Sequence, residues 1–218
     1  PASTTEISAV AEAAGQLGIE TENVLDFTKV MIDMGQATNL SSEEAASSLA
    51  QLANITQMPQ TEFSNLASAV VQLGNNFATT ESDIVAMGLR LAGTSSQVGL
   101  SEDEMLALAT AMSSVGINAE AGGSSMSRGM QKMNSDVKSG AGNLAAFAEV
   151  SGMSAEEFQK SWEEDAAGTI VEFVNGLDEI NQAGGDVAGA LKEMGISSTQ
   201  EVDTLLRLSG AGDTLTEA

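Results

Sequence analysis

The chain of 218 residues contains no cysteine, no histidine and no tyrosine, and only two prolines. Without thiol or imidazole side chains it has no disulfide, no thiolate nucleophile, no imidazole base, and none of the usual donor sets for zinc or haem. Aromatic residues amount to 3% of the chain, so stacking platforms for sugars or single-stranded nucleic acid have almost nothing to be built from. Cationic side chains are scarce too. Eight Lys and Arg stand against 31 Asp and Glu, a net charge of −23. A field of that sign repels phosphate backbones and anionic lipid, so stable nucleic-acid binding and peripheral membrane binding are not expected. Long hydrophobic runs are missing as well. The longest uncharged stretch, Phe63 to Thr80, is broken by Ser64, Asn65, Ser68, Gln72, Asn75 and Asn76, whose polar groups are costly in hydrocarbon, so no membrane segment is expected. The first residues show no basic-then-apolar signal pattern. Pro1 in place of Met, and a stop at Thr216-Glu217-Ala218 just after a periodic segment, lead to the expectation of a piece of a longer protein.

What is present is helical. Hydrophobic residues make up 42% of the chain, enough to build a core at this length. Between Thr21 and Gly35 the apolar positions Val24, Leu25, Phe27, Val30, Met31, Ile32 and Met34 fall mostly on one helical stripe, with Glu22, Asp26, Lys29 and Asp33 opposite. Met105, Leu106, Leu108, Met112 and Val115 repeat the pattern after Ser101. Sustained alternation and Asn-Gly or Asp-Gly hairpin turns are missing. Ser41 with Glu44, Ser101 with Glu104, and Ser154 with Glu157 have the spacing of capping boxes, in which the hydroxyl and the carboxylate each satisfy an orphan backbone donor. Leu100 with Met105 and Met153 with Phe158 bracket two of them as hydrophobic staples. Pro59 suits a helix first turn.

Helix stops recur in one phrase: Leu17-Gly18-Ile19, Val98-Gly99-Leu100, Val115-Gly116-Ile117 and Met194-Gly195-Ile196. Glycine takes the left-handed conformation there and the next apolar residue folds back on the last turn. The expected fold is all-α, an irregular array or bundle of about ten to twelve short helices without a sheet. The stretch Asn134 to Asn143 reads as a loop, dividing a larger helical subdomain, 1–138, from a smaller one, 139–218, and Gly93 to Gln97 reads as a second loop. The intervals are irregular, so no strict tandem repeat is present.

Chemical readings of particular residues lose to structural ones. Glu102-Asp103-Glu104, Glu156-Glu157 and Glu163-Glu164-Asp165 hold paired carboxylates, but in first turns or solvated runs that keep them ionised, unlike the acid pair of a glycosidase. No Asp-rich calcium loop is present. Ala121-Gly122-Gly123 and Gly140-Ala141-Gly142 lack the third glycine and the preceding strand of a dinucleotide site, Lys138-Ser139 lacks the P-loop glycines, and helix packing or turns explain them. Met126, Met130 and Met133 form a core stripe before they form a thioether metal site. Arg128, Lys132 and Lys138 balance acids on neighbouring helices, and Trp162, four residues after Phe158, is a core or interface anchor. No catalytic, cofactor-binding or metal-binding residue is expected, and no enzyme.

Gly116-Ile117-Asn118-Ala119-Glu120-Ala121-Gly122-Gly123, followed by Met126, Arg128 and Met133, resembles the signature of the tail tape measure proteins of long-tailed bacteriophages and prophages, with Gly123 where a threonine is usual. Ile7 to Ile19 is similar to the opening of that family's core region, Phe147 to Phe158 to its middle, and Gly176-Leu177-Asp178, Leu191 to Ile196 and Leu205 to Leu208 to its end. Each phrase is short; their order and spacing over nearly the whole chain carry the resemblance. It implies a structural virion region in the tail lumen, made in the host cytoplasm during assembly. Such a protein sets tail length and leaves before or with the DNA at infection. Length is set by extended helical regions elsewhere in such proteins, as are membrane-active or wall-cleaving parts. The implied partners are tail tube subunits, assembly chaperones and further copies of the protein as trimer or hexamer. The alternative is a helical binding or scaffold module unrelated to phage tails.

Overall fold

The computed structural model describes residues 3–218. Thirteen α-helices follow one another among them: α1 (Thr4–Gln16), α2 (Val24–Ala37), α3 (Ser42–Thr56), α4 (Phe63–Asn76), α5 (Glu81–Val98), α6 (Glu102–Ser114), α7 (Ala119–Ser139), α8 (Leu144–Val150), α9 (Ala155–Glu164), α10 (Ala166–Gln182), α11 (Val187–Glu193), α12 (Thr199–Ser209) and α13 (Gly212–Glu217). Short 3-10 turns at Thr21–Asn23 and Gln60–Glu62 lead into α2 and α4. No strand occurs among the described residues, so the architecture is all-α as the periodicity predicts.

The start signals act as their chemistry requires. At Ser41, Ser101 and Ser154 the hydroxyl accepts from the backbone N–H three residues on, and Glu44, Glu104 and Glu157 each accept from the cap residue's own N–H. Leu100, Met105 and Phe158 are buried and Met153 is half-buried, as staples at these starts require. The stops act likewise. Gly18, Gly99, Gly116 and Gly195 sit at φ of +82°, +89°, +72° and +77°. The next residue's N–H donates five residues back: Ile19 to Ala14 O, Leu100 to Ser95 O, Ile117 to Met112 O and Ile196 to Leu191 O, at 2.9–3.1 Å. This is the Schellman geometry, and it turns the returning Ile or Leu inward, where all four are buried.

Packing follows from these corners. The α5 helix packs against α6, α7 and α3. The longest helix, α7, touches α5 along one flank and α8, α9 and α12 along others. Near the end of the chain, α13 returns to α6 and α10. Buried side chains from Val10 to Leu215 form one continuous apolar cluster. No helix of the described residues is long and apolar enough to cross a membrane.

Three expectations are corrected. Gly93 to Gln97 is not a loop but the last turns of α5. Thr94 and Ser95 are 6% and 1% exposed, and burying that face outweighs the poor helix propensity of the run. Asn134 to Ser139 is also helical, because Val137 continues the Met126–Met130–Met133 stripe, and the linker shrinks to residues 140–143. The buried Asp136 carboxylate organises that linker, accepting from the Asn143 backbone N–H at 3.1 Å and lying 3.4 Å from Lys132 Nζ. Pro59 caps the 3-10 turn ahead of α4 instead of entering the helix. Within α2 the stripe holds at Phe27, Met31, Ile32 and Met34, but Leu25 is 79% exposed.

Candidate functional surface

The carboxylates singled out above lie on the surface, all exposed except half-buried Glu102. Several have structural tasks. Backbone and hydroxyl hydrogen bonds from Ser154 hold the Glu157 carboxyl below the usual glutamate range, and Ser41 does the same for Glu44. Asp165 and Asp186 accept the Gly168 and Gly189 N–H groups at 2.8 Å, capping α10 and α11. Among the described residues no group of three or more acids is placed to hold a metal ion.

The glycine pair in α7 serves close packing. A Cβ at Gly123 would lie 2.6 Å from Arg90 Cβ and 3.3 Å from Met87 Sδ, so the glycine lets α7 seat against these α5 side chains. Met126, Met130 and Met133 are 1%, 0% and 1% exposed and face the interior. Arg128 Nε donates to Glu201 Oε1 at 2.5 Å, tying α7 to α12. Partial burial raises the Glu201 carboxyl, yet hydrogen bonds from Arg128 and Ser198 and the guanidinium charge outweigh it and leave its pKa lowered. Lys132 pairs with Asp136 along its own helix. Trp162 is 3% exposed, stacks on Phe158 at 6.2 Å between centroids, and donates from Nε1 to Asn134 Oδ1 at 3.4 Å.

The feature that sequence reasoning missed is a groove of about 740 Å³ along α10. Glu172, Asn175, Gly176, Glu179, Ile180 and Ala183 form its floor, at the spacing of one helix face. One wall is the end of α8 with Ser151 and Gly152, the other the end of α11 with Met194. Gly176 lets the end of α8 close onto α10, since a Cβ there would overlap the Val150 carbonyl oxygen. The floor spacing was visible in the sequence, but which helices would flank it was not.

Capped helices, an acidic composition and an open groove along α10 define an all-helical protein. The chain belongs to the family of phage-related minor tail proteins, whose pattern it matches over residues 1–194. The probable tape measure protein of Halomonas phage phiHAP-1 is 30% identical to it over 124 residues. That match takes in 53% of this chain and 14% of the relative, so the chain corresponds to a small part of that protein's length. Family and relative together place the chain among tape measure-related proteins of phage tails. No solved structure matches.

Proposed function

We propose that this chain is a helical region of a tail tape measure protein, acting in tail assembly and length determination and released during genome ejection. The observation that carries the reading is the family match across residues 1–194, supported by the tape measure relative. In this reading the region resides in the tail lumen of the virion, is made in the host cytoplasm, and meets tube subunits, assembly chaperones and further copies of itself. It organises partners, while length is set by rod-like segments outside it. The proposed division into 1–138 and 139–218 falls in the last turn of α7, just before the 140–143 linker in which Gly140 and Gly142 are left-handed.

The physics supports these tasks. A net charge of −23 keeps the protein from adhering to DNA that must pass through the same tube. Helices of 6 to 21 residues, ended by glycine corners, offer many points at which the chain can unravel in sequence. The test is genetic. In-frame deletion of codons for residues 3–218 in the parent gene is expected to abolish tails in electron micrographs, whereas shortening the parent's rod segments shortens tails in proportion. Normal tails after the deletion would overturn the organising role.

A further inference from the structure

The groove along α10 has a chemistry of its own. Glu172 and Glu179 along its α10 floor and Glu149 and Glu193 on the flanking helices are all exposed, and no Lys or Arg lines it. None of the four forms a side-chain hydrogen bond or ion pair among the described residues, unlike the capping carboxylates of Glu44, Glu104 and Glu157. Between them lies an apolar bed of Val150, Ile180 and Ala190, half-buried, over the fully buried Met194. The floor from Glu172 to Ala183 runs for about three helical turns, roughly 16 Å. Helix-in-groove recognition uses an elongated groove of this length with apolar contacts along it and polar groups beside them.

We infer that this groove docks an amphipathic helix from a separate partner protein, with Leu-sized apolar residues on one face and Lys or Arg on both flanks. Charge complementarity decides the occupant. Four unpaired carboxylates among the lining residues repel an acidic helix and favour a cationic one. A second copy of this chain is a poor occupant, because each copy carries −23 and four of its eight cations, Arg128, Lys132, Lys160 and Arg207, are already in ion pairs. The inference stands independently of the tail role.

The test uses the purified chain and a fluorescein-labelled model peptide of about 18 residues, Leu and Ala on one face and Lys on the other, at roughly 0.15 M salt. Anisotropy is expected to show saturable binding, and methyl spectra to shift at Ile180, Ala190 and Met194. A Glu172→Gln/Glu179→Gln variant is expected to weaken binding about tenfold, and Ala183→Trp, which fills one end of the groove, by at least as much. A Glu20→Gln/Glu22→Gln variant, which removes the same charge from the exposed α1–α2 corner, should stay within about twofold, since rim charges far from a site act only through the weak long-range field. A scrambled peptide of the same composition should bind far more weakly. Equal losses in the two double variants, equal binding of the scrambled peptide, or an absence of saturable binding would each overturn the inference. So would a shift in oligomeric state that makes the groove a self-contact.

Discussion

The part of the chain before Gly140 and the part after it solve the same packing problem with different materials. Before Gly140, six of the seven helices have 13 to 18 residues and α7 has 21, and the interior is mostly Ala, Leu and Met, with one edge-on aromatic pair, Phe27 and Phe63, 4.8 Å apart. After it, α8 and α11 have only 7 residues and α9 has 10, yet Phe147, Phe158, Trp162 and Phe173 gather at one place. Long helices can hold together through many small contacts. A helix of two turns has few, so each must bury more area, and rings supply it. The largest expected effect follows. Phe147 is fully buried and lies 6.3 Å from Phe158 and 5.6 Å from Phe173, so Phe147→Ala should cost about 3–5 kcal/mol in urea unfolding. Met130→Leu, an equally buried change in the first part, should cost less than about 1.5 kcal/mol, because similar volume and flexible neighbours allow repacking. Equal losses would erase the contrast.

Glycines sharpen the same comparison at the backbone. Gly176→Ala must push α10 off the Val150 carbonyl, which has no flexible end to move aside, and is expected to cost about 1–3 kcal/mol and to change the groove. Gly93, exposed in the interior of α5 with nothing within 4 Å of a built Cβ, offers the reverse case. Gly93→Ala should stabilise the protein by about 0.5–1 kcal/mol in the same urea measurement, through lost unfolded-state freedom. A destabilised Gly93→Ala would mean that the small residues of α5 are needed for something other than space.

These positions also mark where the sequence was readable. Capping boxes and Leu-Gly-Ile corners are local: hydroxyl, carboxylate and glycine act within five residues of one another, so Ser41, Ser101, Ser154 and the four glycine stops could be placed without knowing any neighbour. Thr94, Ser95 and Asn134 to Ser139 could not. Their own preferences favour a loop, and what makes them helical is the far side of α5 and α7, which only the tertiary arrangement supplies. The Arg128–Glu201 pair spans 73 residues, and the groove depends on α8 and α11 approaching α10 from different parts of the chain. Spacing along a strand of sequence carries no record of such approaches. The resemblance to tape measure proteins rested on local phrases as well, which is why it was available before the fold.

The smallest expected effect concerns what the two parts share. Glu44 on α3 and Glu157 on α9 each accept from the backbone N–H of their cap serine, and both carboxyls are held below their ordinary value by backbone and hydroxyl donors that favour the charged form. A carboxyl whose folded pKa is depressed contributes stability above the unfolded value and loses it as pH falls through the folded one. Absolute stability is a poor measure of this, because acid also discharges the net −23 and relieves repulsion throughout the molecule. The difference between the parent and Glu157→Gln removes that common background. It should be largest near neutral pH and shrink as pH falls below the ordinary glutamate range, and Glu44→Gln should trace a parallel curve. The cores differ around these two helices but the cap geometry does not, so parallel curves locate the effect in the cap. A curve that stays flat for Glu157 while Glu44 responds would show that α9 takes its stability from Phe158 and Trp162 alone.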